Sequence, residues 1–245
     1  TAERPVNFAN SVVPLFTKHG CNSGGCHGKS SGQNGFKLSL LGFEPQEDYE
    51  YLLREARGRR IFPAAPERSL LLLKATGQLP HGGGSRIDAG SFDYRMLVKW
   101  IRQGMPYGKP NDPKLESITV HPVERTMKPS ARQQLVVLAR MSDGSIEDIT
   151  HSAVYEANDR EYADADNTGL VTVGSHSGEI AVMVRYQDKA TVFRASIPLG
   201  VPVDKLPEER NFVDKFIFAK LKTVGMPASE LAPDSTYLRR VTLDI

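Results

Sequence analysis

The composition of the chain lacks several features that would fix a class of function. Its 245 residues include only two cysteines and one tryptophan, and 31 basic residues nearly balance 29 acidic ones, giving a formal net charge of +2. So small a net charge leaves no electrostatic footprint for nucleic acid, and we expect no such partner. Crossing a bilayer takes roughly 20 apolar residues. Because the four leucines at 70–73 already end at Lys74, we expect no membrane span.

The two cysteines lie close together, and a histidine follows the second. Four residues separate Cys21 from Cys26, and His27 comes next. This order is the attachment pattern of c-type haem, in which two thiols form thioethers and the histidine reaches the iron. The common spacing has two intervening residues, and Gly24 and Gly25 give the longer loop the backbone freedom it needs. The sequence therefore predicts covalently bound haem c as the cofactor.

Two other uses of the cysteines stay open. A disulfide would join both of them, but closing so short a loop stabilises a fold less than closing a long one, and it leaves His27 without a role. A structural zinc site needs about four ligands. The chain offers neither a second cysteine pair nor a closely spaced pair of histidines to complete one.

The second axial ligand is expected in the loop at residues 78–86. His81 is the strong iron ligand of that loop, and the glycines at 82–84 let the backbone lie close to a porphyrin face. We therefore predict His27 and His81 as the metal ligands. Met96 stays open as an alternative, since a thioether is also a common haem ligand. A basic run that ends at Arg60 is either a solvated charge cluster or a partner of the haem propionates.

Apolar residues recur at helical spacing in four N-terminal segments. The pattern predicts helices over residues 7–19, 45–56, 67–75 and 92–103. Four helices around one prosthetic group fit about 100 residues, because the group supplies much of the core. The sequence therefore predicts an all-α, cytochrome c-like haem domain over residues 1–108.

Five segments of this region resemble a known family. They are VPLF at 13–16, CNSGGCHG at 21–28, GFKLSL at 35–40, RGRR at 57–60 and LPHGGG at 79–84. Together they are similar to the cytochrome c domain of large exported planctomycete proteins. The resemblance implies haem held by Cys21, Cys26 and His27, a redox partner of unknown identity, and no established enzymatic chemistry.

The pattern changes after a linker at residues 108–113. From Leu135 to Ala139, apolar residues alternate in the manner of a half-buried strand, and further strands are predicted at 171–173 and 180–186. Short strands at such intervals predict an all-β sandwich over residues 115–200. The segments at 141–150, 167–172 and 178–186 resemble the bacterial immunoglobulin-like domain of group 2. That resemblance implies a spacer or adhesion module without catalytic residues.

The last region, residues 207–245, is predicted to be a short helical segment. Apolar residues recur at helical spacing over 211–224, and the sequence from 212 to 244 resembles the opening of a larger planctomycete domain of unknown function. We therefore expect a multidomain chain whose remaining partners include downstream domains of the same protein.

Three functions from different classes remain. The first, which we favour, is electron transfer by a haem with both axial positions filled, linked to an Ig-like spacer in a larger exported protein. The second is a haem enzyme or sensor with an open sixth position; the glycine-rich loop offers only His81 and Arg86 as distal acid–base groups. The third is a surface adhesion or carbohydrate-binding module. Covalent haem attachment is completed outside the cytoplasm, so we expect a mature or trimmed piece of a periplasmic or cell-surface protein.

Overall fold

The computed structural model describes residues 5–244, with a helical N-terminal part, a β-rich middle and two C-terminal helices. The described residues form six α-helices: α1 (Val13–Lys18), α2 (Pro45–Leu53), α3 (Leu70–Ala75), α4 (Phe92–Arg102), α5 (Phe212–Val224) and α6 (Asp234–Asp244). Shorter turns complete the N-terminal part: a π-helical turn at Phe8–Val12 and 3-10 turns at Leu40–Gly42, Glu55–Gly58 and Pro66–Arg68.

The helix predicted over residues 7–19 is divided in two. The π-helical turn Phe8–Val12 precedes α1, and Pro14 lies in the first turn of α1. Because proline has no N–H, the carbonyl of Asn10 lacks the donor that a regular α-helix would supply four residues later. The segment is therefore helical as predicted but not one regular helix.

The helix predicted over residues 67–75 is shorter than expected. Pro66–Arg68 forms a 3-10 turn, Ser69 is extended with ψ 134°, and α3 begins only at Leu70. Ser69 is fully buried, and its hydroxyl accepts the N–H of Phe62 at 3.0 Å. Ser69 is the N-cap of α3, because its carbonyl accepts the N–H of Leu73, and the helix therefore begins three residues later than predicted.

The helical region has a core of its own. Trp100 and Phe8 are fully buried at its centre, with ring centroids 5.3 Å apart. The Trp100 indole donates to the carbonyl of Pro106 at 3.0 Å, which ties the end of α4 to the chain beyond it. The buried apolar residues of this core run from Val6 to Ile101 and are separate from those of the β-rich part.

The β-rich part contains three sheets. The described residues form strands β1 (Leu115–His121), β2 (Glu124–Thr126), β3 (Arg132–Gln134), β4 (Val136–Met141), β5 (Ile146–Asp148), β6 (Val154–Ala157), β7 (Ala163–Ala165), β8 (Leu170–Val173), β9 (Gly178–Tyr186) and β10 (Lys189–Ile197). The strand orders are β1-β4-β5, β2-β10-β9-β6 and β3-β8-β7. Only β2 and β10 pair in parallel among the pairs of described strands.

The alternation predicted for this region is present. Leu135, Val137 and Ala139 are fully buried, whereas Val136 and Arg140 face outward. Strand β9 repeats the pattern, with every second residue from Ile180 inward. The sheets share one core, so the prediction of a β-sandwich in this part of the chain is confirmed.

The connector between the two regions is held at several points. The Asp112 carboxylate accepts from Asn7 Nδ2 and from the N–H of Lys109, both at 2.8 Å. The Asn10 amide donates to the carbonyl of Pro113, also at 2.8 Å. Lys18 reaches the carbonyl of His151 in the β-rich part. The linker read from composition is thus an ordered connector.

The C-terminal helices follow the sandwich. Asn211 and Asp214 form a reciprocal capping box at the start of α5, and Gly225 ends it in the left-handed conformation with φ 61°. The N–H of Leu199 donates to the carbonyl of Val224 at 2.8 Å, which attaches the end of α5 to the chain leaving β10. Within residues 5–244, no helix is both long and apolar enough to cross a bilayer.

Candidate functional site

A cavity of about 720 Å³ opens in the helical region, within the size range of cofactor sites. It is bounded by the loop that carries the cysteines, the loop at 33–38, helix α3 and the loop at 79–87. The predicted site residues Cys21, Cys26, His27, Arg60 and His81 all line it. Residues that are up to 60 positions apart in sequence therefore meet at one place.

His27 is held by the loop opposite it. Its Nδ1 donates to the carbonyl of Phe36 at 3.0 Å, and its ring packs against the Phe36 ring with centroids 4.6 Å apart. Burial lowers the pKa of His27, which favours the neutral imidazole. Because Nδ1 carries the proton, the lone pair of Nε2 is free for a metal ion.

His81 is held by its own turn. Its Nδ1 donates to the carbonyl of Gly84 at 2.9 Å, while the N–H of Gly84 donates to the carbonyl of His81, also at 2.9 Å. The glycines of this loop were expected to allow a close backbone approach, and here one of them fixes the imidazole. This contact occupies Nδ1, so Nε2 is the ring nitrogen of His81 that is left for a metal ion.

The two imidazoles lie close together in the lining of the cavity, with nearly parallel planes. Their centroids are 6.2 Å apart, and their planes differ by 9°. Bonds between a metal ion and histidine nitrogen are about 2 Å long, so two such bonds in line, with half a ring at either end, span roughly 6 Å. The separation of the His27 and His81 ring centroids therefore matches the spacing of two imidazoles bound to one metal ion.

Both cysteines are free thiols that line the same cavity. Burial raises the pKa of Cys21 to about 11, so this thiol is protonated at neutral pH. The Arg86 guanidinium lies 3.8 Å from Cys26 Sγ. The local backbone turns sharply at this point, because the N–H of Cys26 and that of Gly28 both bond to the carbonyl of Ser23.

Arg60 lines the cavity but is engaged with the protein. Its guanidinium donates to the carbonyls of Tyr51 at 2.6 Å and Glu55 at 3.1 Å, and also to that of Gly35. The guanidinium lies 4.6 Å from the centre of the Phe36 ring. Phe36 is also the residue whose carbonyl accepts from His27. Pairing of Arg60 with a propionate stays a prediction, and its hydrogen bonds give it a structural role as well.

The cavity lining carries charge of one sign. Among the described residues that form it, the charged side chains are cationic and carboxylates are absent; they are Arg59, Arg60, Lys74 and Arg86. Arg59 belongs to the basic run that the sequence offered as a partner of the propionates, whereas Lys74 was not singled out for this place. No local signal could single it out, because Lys74 lies on α3, and only the fold brings that helix to the cavity.

The structure gives less support to the two alternatives, Met96 as the sixth ligand and a structural metal site at the cysteines. Met96 packs against the helical core and is not among the described residues that line the cavity. Residues 5–244 also contain no group of three or more His, Cys, Asp and Glu side chains placed to hold a metal ion. The donors that line the cavity are the imidazoles of His27 and His81 and the thiols of Cys21 and Cys26.

Part of the chain matches a protein family. The family model is described as the bacterial Ig-like domain (group 2), and its match spans residues 114–193. These residues resemble that domain in sequence, as predicted. No curated protein sequence matches the chain.

Solved structures of S-layer proteins are similar in part. The crystal structure of the S-layer protein SbsC domains 4 and 5 is 15% identical with a TM-score of 0.31, and the match covers 35% of this chain and 53% of that one. The crystal structure of the S-layer protein rSbsC(31-844) is 17% identical with a TM-score of 0.32, covering 40% of this chain and 15% of that one.

The aromatic residues of the Ig-like domain do not form a sugar-stacking surface. Phe193 is fully buried and Tyr186 is buried, while Tyr155 and Tyr162 pack against the sandwich core. A carbohydrate platform needs exposed, adjacent rings. The four aromatics of this part of the chain instead lie in or against its core.

Proposed function

We propose that residues 1–108 form a c-type haem domain for electron transfer, carried next to an Ig-like spacer in a larger extracytoplasmic protein. The observation that carries the proposal is the pair His27 and His81, whose ring centroids are 6.2 Å apart in a cavity that both cysteines also line. Haem, when bound, supplies one-electron redox chemistry. The Ig-like match at 114–193 supports the spacer and the location outside the cytoplasm.

The donor set and the cavity fit this group. Cys21 and Cys26 would hold it through thioethers, and His27 and His81 would hold the iron through Nε2, because their Nδ1 atoms are occupied by carbonyls. The propionates are anionic, and the cationic lining offers partners for them. Arg59 suits this role best, since it is exposed at the cavity while Arg60 is bonded to the protein.

The same geometry favours electron transfer over catalysis. A haem enzyme or sensor needs an open or easily vacated sixth position, with acid–base groups above it. Here the residue next to His27 is His81, and its Nδ1 is hydrogen-bonded to the carbonyl of Gly84 in the same turn. With both imidazoles as ligands, no position at the iron would remain for a substrate, so the two side chains would serve to hold the redox centre.

The test is maturation of the chain in cells that attach haem c. We expect an intact mass under denaturing conditions that equals the polypeptide plus one haem, and a six-coordinate low-spin visible spectrum. The double variant Cys21→Ala/Cys26→Ala should give the bare polypeptide mass. Recovery of the bare mass from the parent protein, or a Cys21–Cys26 disulfide, would overturn the proposal.

A further inference from the structure

The two imidazole planes are nearly parallel, and the protein itself fixes both of them. His27 is locked by the Phe36 carbonyl and ring, and His81 by the carbonyl of Gly84. The planes differ by 9°. Each ring is thus oriented by contacts with the protein itself.

One glycine has a direct part in the orientation of His81. A β-carbon added at Gly83 would lie 3.0 Å from Cε1 and 3.5 Å from Nδ1 of His81. The contact with Cε1 is shorter than the about 3.5–4.0 Å at which carbon atoms pack, so the ring has to shift by a few tenths of an ångström to accept the added carbon. At Gly82, by contrast, an added β-carbon would meet no heavy atom of the described residues within 4 Å.

We propose that Gly83 is a positioning residue, which keeps the His81 imidazole parallel to that of His27 and thereby sets the electronic structure of the redox centre. The proposal rests on the proposed haem function and goes further, because it assigns the ligand orientation and the residue that controls it. Parallel imidazoles interact with the same iron d orbital and split the pair of π-type orbitals, whereas crossed imidazoles leave that pair nearly degenerate.

Electron paramagnetic resonance of the haem-loaded ferric protein tests this inference. Parallel planes give a rhombic low-spin spectrum with three resolved g values, and crossed planes give one strongly anisotropic low-field feature. We expect the rhombic spectrum from the parent protein. A six-coordinate low-spin haem with the anisotropic signal would overturn this inference alone, whereas failure to bind haem covalently would overturn the proposed function as well.

Two matched variants test the role of Gly83. Gly83→Ala should move the signal towards the anisotropic form, while Gly82→Ala should keep the parent spectrum. Both changes remove similar backbone freedom from the unfolded chain, so this contribution cancels between them. A Gly83→Ala protein with the parent g values would overturn the positioning role. The spectrum of the parent keeps the parallel orientation testable even if Gly83→Ala does not mature.

Discussion

The hydroxyl of Tyr186, at the end of β9, donates a hydrogen bond to the main-chain carbonyl of Asn10. Asn10 lies four residues before Pro14, which has no N–H to offer that carbonyl. A buried residue of the Ig-like part therefore supplies the donor that the first helical segment lacks. The hydrogen bond thus connects the irregular helical segment before Pro14 to a side chain of the Ig-like part.

This contact predicts that Tyr186→Phe weakens the attachment between the helical and Ig-like parts. The variant should lower the free energy of unfolding by about 1 kcal/mol, because a carbonyl loses its donor. It should also speed proteolytic cleavage of the connector at 108–113, measured by the decay of the intact chain on a gel.

The matched control is Tyr155→Phe. The Tyr155 hydroxyl donates to the carbonyl of Thr150 at 2.8 Å, within the Ig-like part. Its loss should destabilise that part without speeding cleavage of the connector. Equal cleavage rates in Tyr186→Phe and the parent would show that the hydroxyl does not couple the domains.

Asp93 predicts a pH-dependent stability. Burial raises the pKa of Asp93, but hydrogen bonds from His19 at 2.7 Å and Lys18 at 2.9 Å lower it below the usual 3.8. Because the folded-state pKa is the lower one, the carboxylate stabilises the fold fully above the unfolded-state pKa. This contribution is lost as the pH falls through the folded-state pKa.

Asp93→Asn should therefore lower the free energy of unfolding at pH 7 by roughly 1.5–3 kcal/mol, the range for hydrogen bonds to charged groups. The difference from the parent should shrink as the pH falls below 3.8, as followed by denaturant unfolding across that range. Asp188→Asn, at an exposed ion pair with Lys189, should stay within about 0.5 kcal/mol of the parent at every pH. A pH-independent loss in Asp93→Asn would contradict the assignment.

His81→Ala tests the sixth ligand. Met96 does not line the cavity, so we expect a high-spin spectrum that returns to low spin on addition of imidazole, as read from the visible absorption. His176→Ala, which removes an exposed histidine of the Ig-like part, should leave the spectrum unchanged. A low-spin spectrum in His81→Ala without added ligand would show that another residue binds the iron.

Arg59 and Arg60 form a pair of adjacent cations with different expected roles. Arg60→Gln should lower the free energy of unfolding by about 2–3 kcal/mol, because it removes a charged donor from several backbone carbonyls. Arg59→Gln is a surface change and should stay within about 0.5 kcal/mol. If Arg59 pairs with a propionate, its loss should shift the reduction potential. The opposite order of stabilities would contradict these roles.

The sequence predicted correctly those helices and strands that are determined by residues close together in the chain. Helix α4 was expected over 92–103 and spans Phe92–Arg102, since Ser91 caps it and its apolar face is regular. Helix α3 begins three residues later than predicted, after its N-cap Ser69, whose hydroxyl accepts the N–H of Phe62, a contact that only the fold creates. The alternation around Val137 was equally readable, because it reflects the two faces of one strand.

The candidate site divides in the same way. Chain order alone placed Cys21, Cys26 and His27 together, and the glycine-rich loop pointed to His81. The carbonyls that orient the imidazoles could not be predicted, because the backbone groups of Phe36 and Gly84 have no signature in sequence. The orientation of the rings is a tertiary property, and so is the cationic lining.

The ordered connector at 108–113 fixes the position of the N-terminal domain relative to the Ig-like domain. A loose tether would let the domain explore a volume that grows with tether length, and its encounters would be governed by an effective concentration. Asn7 and Asn10 instead hydrogen-bond to the connector where it leaves the helical core. The Tyr186 hydroxyl donates to the carbonyl of Asn10 from the Ig-like part. The cavity is therefore held in one orientation relative to the Ig-like domain.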